Sequence, residues 1–181
     1  GAGLPLQLAS AAAGIAAQVP PRALWLGWSL GGLVAMQQAA ADPARVRGLV
    51  MLAASPRFVR ADDWAAGMEA AVFRNFASEL GRDYRGTLDR FLMLEAQGSD
   101  HVREELKLLR AEVFAHGEPA ADVLCEGLGL LEDSDLRAAL PSLAMPSLWL
   151  AGRRDRLVSP AAMQAAAALV PVARFHQVDS G

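Results

Sequence analysis

A single cysteine, Cys125, among 181 residues excludes an internal disulfide and suits a reducing compartment. No apolar run is long and unbroken enough to span a bilayer. The opening residues Gly1-Ala2-Gly3-Leu4-Pro5 carry no charged n-region, so no signal peptide is expected there. Positive charge is in short supply: 17 Lys and Arg against 20 Asp and Glu leave a net charge of −3, without the basic excess of a general nucleic-acid binder. Neither G-x-G-x-x-G nor a phosphate-loop lysine occurs, which disfavours a nucleotide-binding fold. What remains is the profile of an ordinary globular chain, 53% hydrophobic and long enough for one packed domain with a small lid. The expectation is a cytoplasmic monomer that does not engage membranes or nucleic acids.

The most informative segment is Gly27-Trp28-Ser29-Leu30-Gly31, at the end of the apolar run Ala23 to Leu26. G-x-S-x-G between a strand and a helix reads as a nucleophile elbow, a sharp turn that pushes a serine hydroxyl into a cleft. Such a turn strains the serine backbone and brings strand and helix together, so its flanking positions are expected to be nearly side-chain-free. The N–H of Leu30, at the start of the helix, can then face the oxyanion of an attacked carbonyl.

Three sections follow along the chain. Residues 1–57 alternate: a helix over 8–18, a strand over 23–26, the elbow and its helix, and a strand over 46–53. Residues 58–141 offer no strand, only amphipathic helices: one capped by Asp62-Asp63 and running to about Leu80, one over 84–95, one capped by Ser99, and one over 121–131. In the third, Val102, Leu106, Leu109 and Val113 form an apolar stripe. From 142 the alternation returns, with a strand over 147–151, a helix over 160–169 and a strand over 173–178. The pattern predicts an α/β core, 1–57 and 142–181, interrupted by a helical cap over 58–141. No internal repeat is evident.

A serine nucleophile needs a base, and the base needs an orienting acid. Asp155 follows the apolar segment Leu148-Trp149-Leu150-Ala151 and the Gly152 turn, at the sheet edge where functional groups of open α/β sheets gather. The alternative is a surface aspartate paired with Arg153, Arg154 or Arg156. The base is harder to find. His101 and His116 precede Asp155 and fall among the cap helices. His176 lies inside the last strand, about five residues and some 15 Å short of its functional end at roughly 3.3 Å per residue.

These residues resemble the pimeloyl-[acyl-carrier-protein] methyl ester esterases, α/β-hydrolases with a helical cap. The resemblance rests on GWSLGGLVA at 27–35, DPARVRGLVMLAASPRF at 42–58, TLDRFLMLEAQG at 87–98, DVLCEGLGLLEDSDLRAAL at 122–140 and PSLWLAGRRDRLV at 146–158. It implies a mostly parallel sheet flanked by helices, with Ser29 as nucleophile, Asp155 as triad acid and Leu30 as oxyanion donor. Trp28, Phe91, Leu92 and Glu95 are implied to line the substrate channel, Glu95 standing where a glutamine is more usual. Arg90, Arg103 and Lys107 match basic positions implied to meet the acidic carrier protein. Arg103, Lys107 and Arg110 share one helical face, although Glu104, Glu105 and Glu112 are interspersed and a solvated mixed-charge face is the alternative. No metal or organic cofactor is implied.

The chain also departs from the family's pattern. The N-terminal strands and the loop giving the second oxyanion donor are not found, and the catalytic histidine is expected just after Gly181. The sequence is thus expected to be an internal fragment, inactive by itself, with the strand at 23–26 lacking a neighbour. The implied activity is hydrolysis of the methyl ester of a pimeloyl chain on acyl-carrier protein by a Ser-His-Asp acyl-enzyme route. A broader carboxylesterase or lactonase of the same fold, and a non-catalytic carrier-binding fragment, are the alternatives.

Overall fold

The computed structural model describes residues 6–95, 102–115 and 117–179. Four parallel strands form one sheet in the order of the chain: β1 (Ala23–Trp28), β2 (Val46–Leu52), β3 (Ser147–Gly152) and β4 (Ala173–Val178). Helix α1 (Leu8–Ala16) precedes β1, and α2 (Leu30–Ala41) connects β1 to β2. Four helices lie between β2 and β3: α3 (Ala70–Arg82), α4 (Tyr84–Glu95), α5 (Val102–Phe114) and α6 (Ala121–Asp133). Helix α7 (Pro160–Ala167) returns the chain from β3 to β4. The crossover helices are what a parallel sheet requires, since parallel neighbours cannot be joined by a hairpin.

Alternation along the strands decides where the core forms. Trp25, Leu49, Met51, Trp149 and Ala151 are buried on one face, where they meet Leu33 and Met36 of α2 and Met163 and Ala166 of α7 in a single cluster. Register places these residues in rows, with Trp25 beside Leu49 and Met51 beside Trp149. The Trp149 indole N–H donates to Ser147 Oγ at 3.0 Å, two residues along the same face, so its burial leaves no orphaned donor. On the other face Leu24 and Leu26 remain 70% and 67% exposed, and β1 is an edge strand of the sheet. Helix α7 begins with Ser159, whose Oγ accepts from the Ala162 N–H, followed by Pro160 at the first turn.

Two expectations about the helices need correction. Asp62 and Asp63 do not open a helix. Residues 61–69 form an irregular segment held by Trp64, which is buried and whose indole donates to the Arg57 carbonyl at 3.0 Å, and α3 starts only at Ala70. Asp63 is occupied elsewhere, accepting from Arg137. The first and last helices are also shorter than their Ala-rich composition suggests, closing at Ala16 and Ala167. Alanine favours helix throughout both runs, so propensity marks no stop there.

The passage from β2 into the helices and the return toward β3 are fastened to each other. Arg57 donates to Asp135 at 3.0 Å, Arg137 bonds both Asp135 and Asp63, and the Leu136 N–H donates to the Pro56 carbonyl at 2.9 Å. Arg137 also lies over the Trp64 ring, 5.4 Å from its centre. Hydrogen bonds from the Arg137 guanidinium hold the Asp135 carboxyl well below its ordinary 3.8. A carboxyl depressed in the folded state contributes stability that is present above about pH 4 and lost as pH falls below it. Asp135→Asn is therefore expected to lower stability by about 1–2 kcal/mol at pH 7. The gap between the urea midpoints of variant and parent should narrow steadily as pH drops from about 4 toward 2. A gap that does not narrow would assign the loss to packing instead.

Candidate active site

Ser29 sits between β1 and α2 with φ 51° and ψ −121°, a backbone conformation that strains any residue with a side chain. Two bonds hold it there. Its N–H donates to the Leu52 carbonyl at 3.1 Å, and its own carbonyl accepts from the Gly32 N–H at 2.9 Å. The first N–H groups of α2, beginning with that of Leu30, have no carbonyl partner within the helix and stand at the positive end of its dipole. Ala53, just past the end of β2, also has a positive φ of 43° and donates its N–H to the Leu150 carbonyl at 3.1 Å. Two bent strand ends thus lie side by side at one edge of the sheet.

The glycine pattern of the elbow differs from expectation in one position. A Cβ on Gly27 would meet Gly32 Cα at 2.5 Å and the Gly31 carbonyl at 2.6 Å, so the strand–helix approach does exclude a side chain there. Gly31 has open space around its missing Cβ. Gly32 carries the second contact, where a Cβ would strike the Ala54 methyl and reach Met51 Cε at 2.9 Å. The helix turns Gly31 away from the sheet and its successor toward it, a step of one residue that the motif does not reveal.

Asp155 lies beyond the end of β3 and is only 8% exposed. Its Oδ1 accepts from the N–H groups of Leu157 and Val158, each at 2.8 Å. The loop thus grips the carboxylate through its own backbone, and not through the neighbouring arginines that were the alternative partners. Burial pushes the carboxyl up from its ordinary value, while the two main-chain bonds pull it down.

Ser29 and Asp155 open into the same cavity of about 400 Å³. Its walls are apolar: Trp28 and Leu30 from the elbow, Phe73, Phe76 and Leu80 from α3, Leu88 and Phe91 from α4, and Leu124, Leu128 and Leu131 from α6. Tyr84 adds a phenol to the wall, which the sequence did not single out. Leu92 does not reach the cavity. It is buried against Leu106 of α5, with Phe91 and Val113 packed alongside. Residues 91 and 92 point to different sides of α4, and the arrival of α5 decides which one becomes core.

Arg90 lies at the neighbouring opening, 3.8 Å from Glu79 and 3.7 Å from Asp83. Lys107 is exposed on α5. Arg110, expected on the same positive face, instead turns onto Asp89 of α4, donating through Nε and Nη2. Glu95 and Arg103 fall on α4 and α5 with side chains outside the described residues, as are His101 and His116 altogether. His176 is exposed on β4, in register with Leu150, and lines neither opening. Among the described residues no histidine reaches the Ser29 cavity, and no group of three metal-ligating side chains gathers.

A parallel sheet, a strained serine between strand and helix, and a buried aspartate beyond a later strand define an α/β-hydrolase of the serine type. The model of the family described as serine aminopeptidase, S33, matches residues 8–178. An esterase from Exiguobacterium antarcticum superposes with a TM-score of 0.80 at 18% identity, over 95% of this chain and 64% of that one, so the chain spans less than two thirds of it. An enol-lactonase from Burkholderia xenovorans LB400 gives a TM-score of 0.70 at 21% identity, over 89% of this chain and 58% of the other. Both likenesses concern the fold alone.

The chain belongs to the pimeloyl-[acyl-carrier protein] methyl ester esterase family. It is 58% identical over 177 residues to the protein of that name from Stenotrophomonas maltophilia, covering 98% of this chain and 68% of the relative. The Xanthomonas campestris pv. campestris protein of the same name is 56% identical over 177 residues, 69% of its length.

Proposed function

We propose that this chain carries the nucleophile and the acid of a serine esterase that removes the methyl group from a pimeloyl ester held on acyl-carrier protein, a step in making biotin. The observation that carries the reading is the shared apolar cavity into which Ser29 and Asp155 both open. In this reading Ser29 Oγ attacks the ester carbonyl, and the N–H of Leu30 receives the developing oxyanion. The serine proton passes to a histidine outside the described residues, whose imidazolium Asp155 holds and stabilises. That proton leaves with methanol as the acyl-enzyme forms. Water, deprotonated by the same base, then attacks the acyl-enzyme and frees the carboxylate and the serine.

Residues 58–141 act as the cap over this cavity, with 1–57 and 142–181 forming the core beneath. Trp28 and Phe91 line the acyl channel, Glu95 continues the face of Phe91, and Arg90, Arg103 and Lys107 steer the acidic carrier by long-range attraction. No membrane-crossing helix is present among the described residues, and a cytoplasmic site fits the carrier-bound substrate.

Hydrolysis of methyl pimeloyl-carrier protein, compared with a short p-nitrophenyl ester, tests the reading. The protein is prepared both as these 181 residues and at the full length of its relatives. Preference for the carrier-bound ester by the longer form supports it, whereas equal handling of both esters would make the enzyme a broad carboxylesterase. Serine-dependent turnover by the 181 residues alone would place the base within them. In the active form Asp155→Asn should lower kcat by about 10⁴.

A further inference from the structure

A second cavity, of about 470 Å³, adjoins the first. The two share Phe76, Phe91 and Leu157 in their walls, so they adjoin across those side chains. Their chemistry differs sharply. The inner compartment is mostly apolar, while three arginines, Arg90, Arg154 and Arg156, line the outer one. Among the described residues Glu79 is the one carboxylate in its wall, and it lies 3.8 Å from Arg90.

The loop after β3 has an alternating construction. Asp155 points inward and is buried, while Arg154 and Arg156 on either side are exposed and face the outer compartment. Arg156 forms no ion pair with the described residues. Guanidinium groups converging on a cleft suit a phosphate, whose oxygens match their forked donors, and a low-dielectric wall such as Phe91 strengthens the attraction.

We propose that the outer compartment is a phosphate-binding antechamber, which holds the phosphate of the substrate's thioester arm while the acyl chain fills the apolar compartment. The inference rests on the esterase reading above. An acyl group on a carrier protein travels on a flexible arm joined to the protein through a phosphate. In this proposal a linear substrate with its methyl ester at Ser29 extends past Phe91 and Leu157 into the outer compartment, thioester last. Fixing the anionic end of the arm at Arg156 and Arg154 limits how far the chain can slide past the serine, so these arginines are positioning residues and not catalytic ones.

The test uses the full-length enzyme and two thioesters that differ by one group, methyl pimeloyl pantetheine and its 4′-phosphate. The phosphorylated form is expected to have a KM about tenfold lower, a preference that shrinks as salt is raised. In Arg156→Gln, and more so in the Arg154→Gln/Arg156→Gln double variant, the ratio of the two KM values should approach one. Equal KM values in the parent enzyme, or a ratio untouched by both variants, would overturn the antechamber. Calorimetric titration with 4′-phosphopantetheine and with pantetheine reads the same preference without turnover. Phosphate-dependent binding without hydrolysis of either thioester would sink the esterase reading and keep the antechamber. Hydrolysis of both thioesters without any phosphate preference would do the reverse.

Discussion

Replacing Ser29 by alanine should abolish ester hydrolysis, by a factor on the order of 10⁶ where a complete triad is present, and leave the fold intact. The hydroxyl makes no hydrogen bond among the described residues: the elbow is maintained by the main-chain bonds from Ser29 N–H to Leu52 and from Gly32 N–H to Ser29, which alanine keeps. Glycine at the same position separates strain from chemistry. With φ at 51° and ψ at −121°, the serine occupies a region costing about 1–3 kcal/mol, which glycine enters without steric conflict. Ser29→Gly should be as inactive as the alanine variant yet melt higher, by about 2–4 °C for each kcal/mol recovered. Part of the gain is offset by the larger backbone freedom of unfolded glycine. Activity assays paired with calorimetric melts decide the matter. A Ser29→Gly protein that melts lower than the alanine variant would mean that the elbow is not strained, while retained turnover in either would remove Ser29 from the mechanism.

The same separation between local signal and tertiary decision explains what the sequence disclosed. Helix α4 and strand β4 fall at 84–95 and 173–178, where periodicity alone places them, because their patterns are local. The turn carrying Asp155 was legible for a similar reason: an apolar strand, a glycine and an aspartate follow in order. Its grip was not, since the donors are main-chain N–H groups at Leu157 and Val158 that no residue type advertises. Residues 59–69 follow no period because irregular contacts shape them, among them the long-range Arg137 bonds to Asp63 and a bridge that closes the segment between Val59 and Met68. The outer compartment was invisible for the same reason. Arg90 and Arg156 come from segments far apart in the chain and line one cavity only once the chain is folded.

Glycine substitutions in the elbow should produce the widest spread of effects from a single chemical change. Gly27→Ala drives a methyl into main-chain atoms of Gly31 and Gly32 at 2.5–2.7 Å, and no rotamer can relieve a backbone clash. Strand and helix must separate, uncovering Leu33 and Met36 of α2 where they pack against the sheet. A loss above about 4 kcal/mol is expected, enough to leave much of the chain unfolded at 25 °C given the marginal stability of proteins. Gly32→Ala should be similarly harmful, since its methyl would strike Ala54 and Met51 in the core. Gly31→Ala should do the opposite. Its Cβ meets nothing within 4 Å and it lies within α2, where alanine is favoured over glycine by about 1 kcal/mol. Urea denaturation of the three variants would show the ordering. Its physical meaning is that the motif's two glycines serve different ends: Gly27 permits the strand and helix to touch, and Gly31 has no steric need to be glycine in the free protein. If Gly31→Ala is more stable but slower on esters, its added methyl is obstructing the path of the substrate or the oxyanion donors beside Leu30. If it is stable and equally fast, the last glycine of G-x-S-x-G is dispensable in this chain, and the close approach belongs to Gly32.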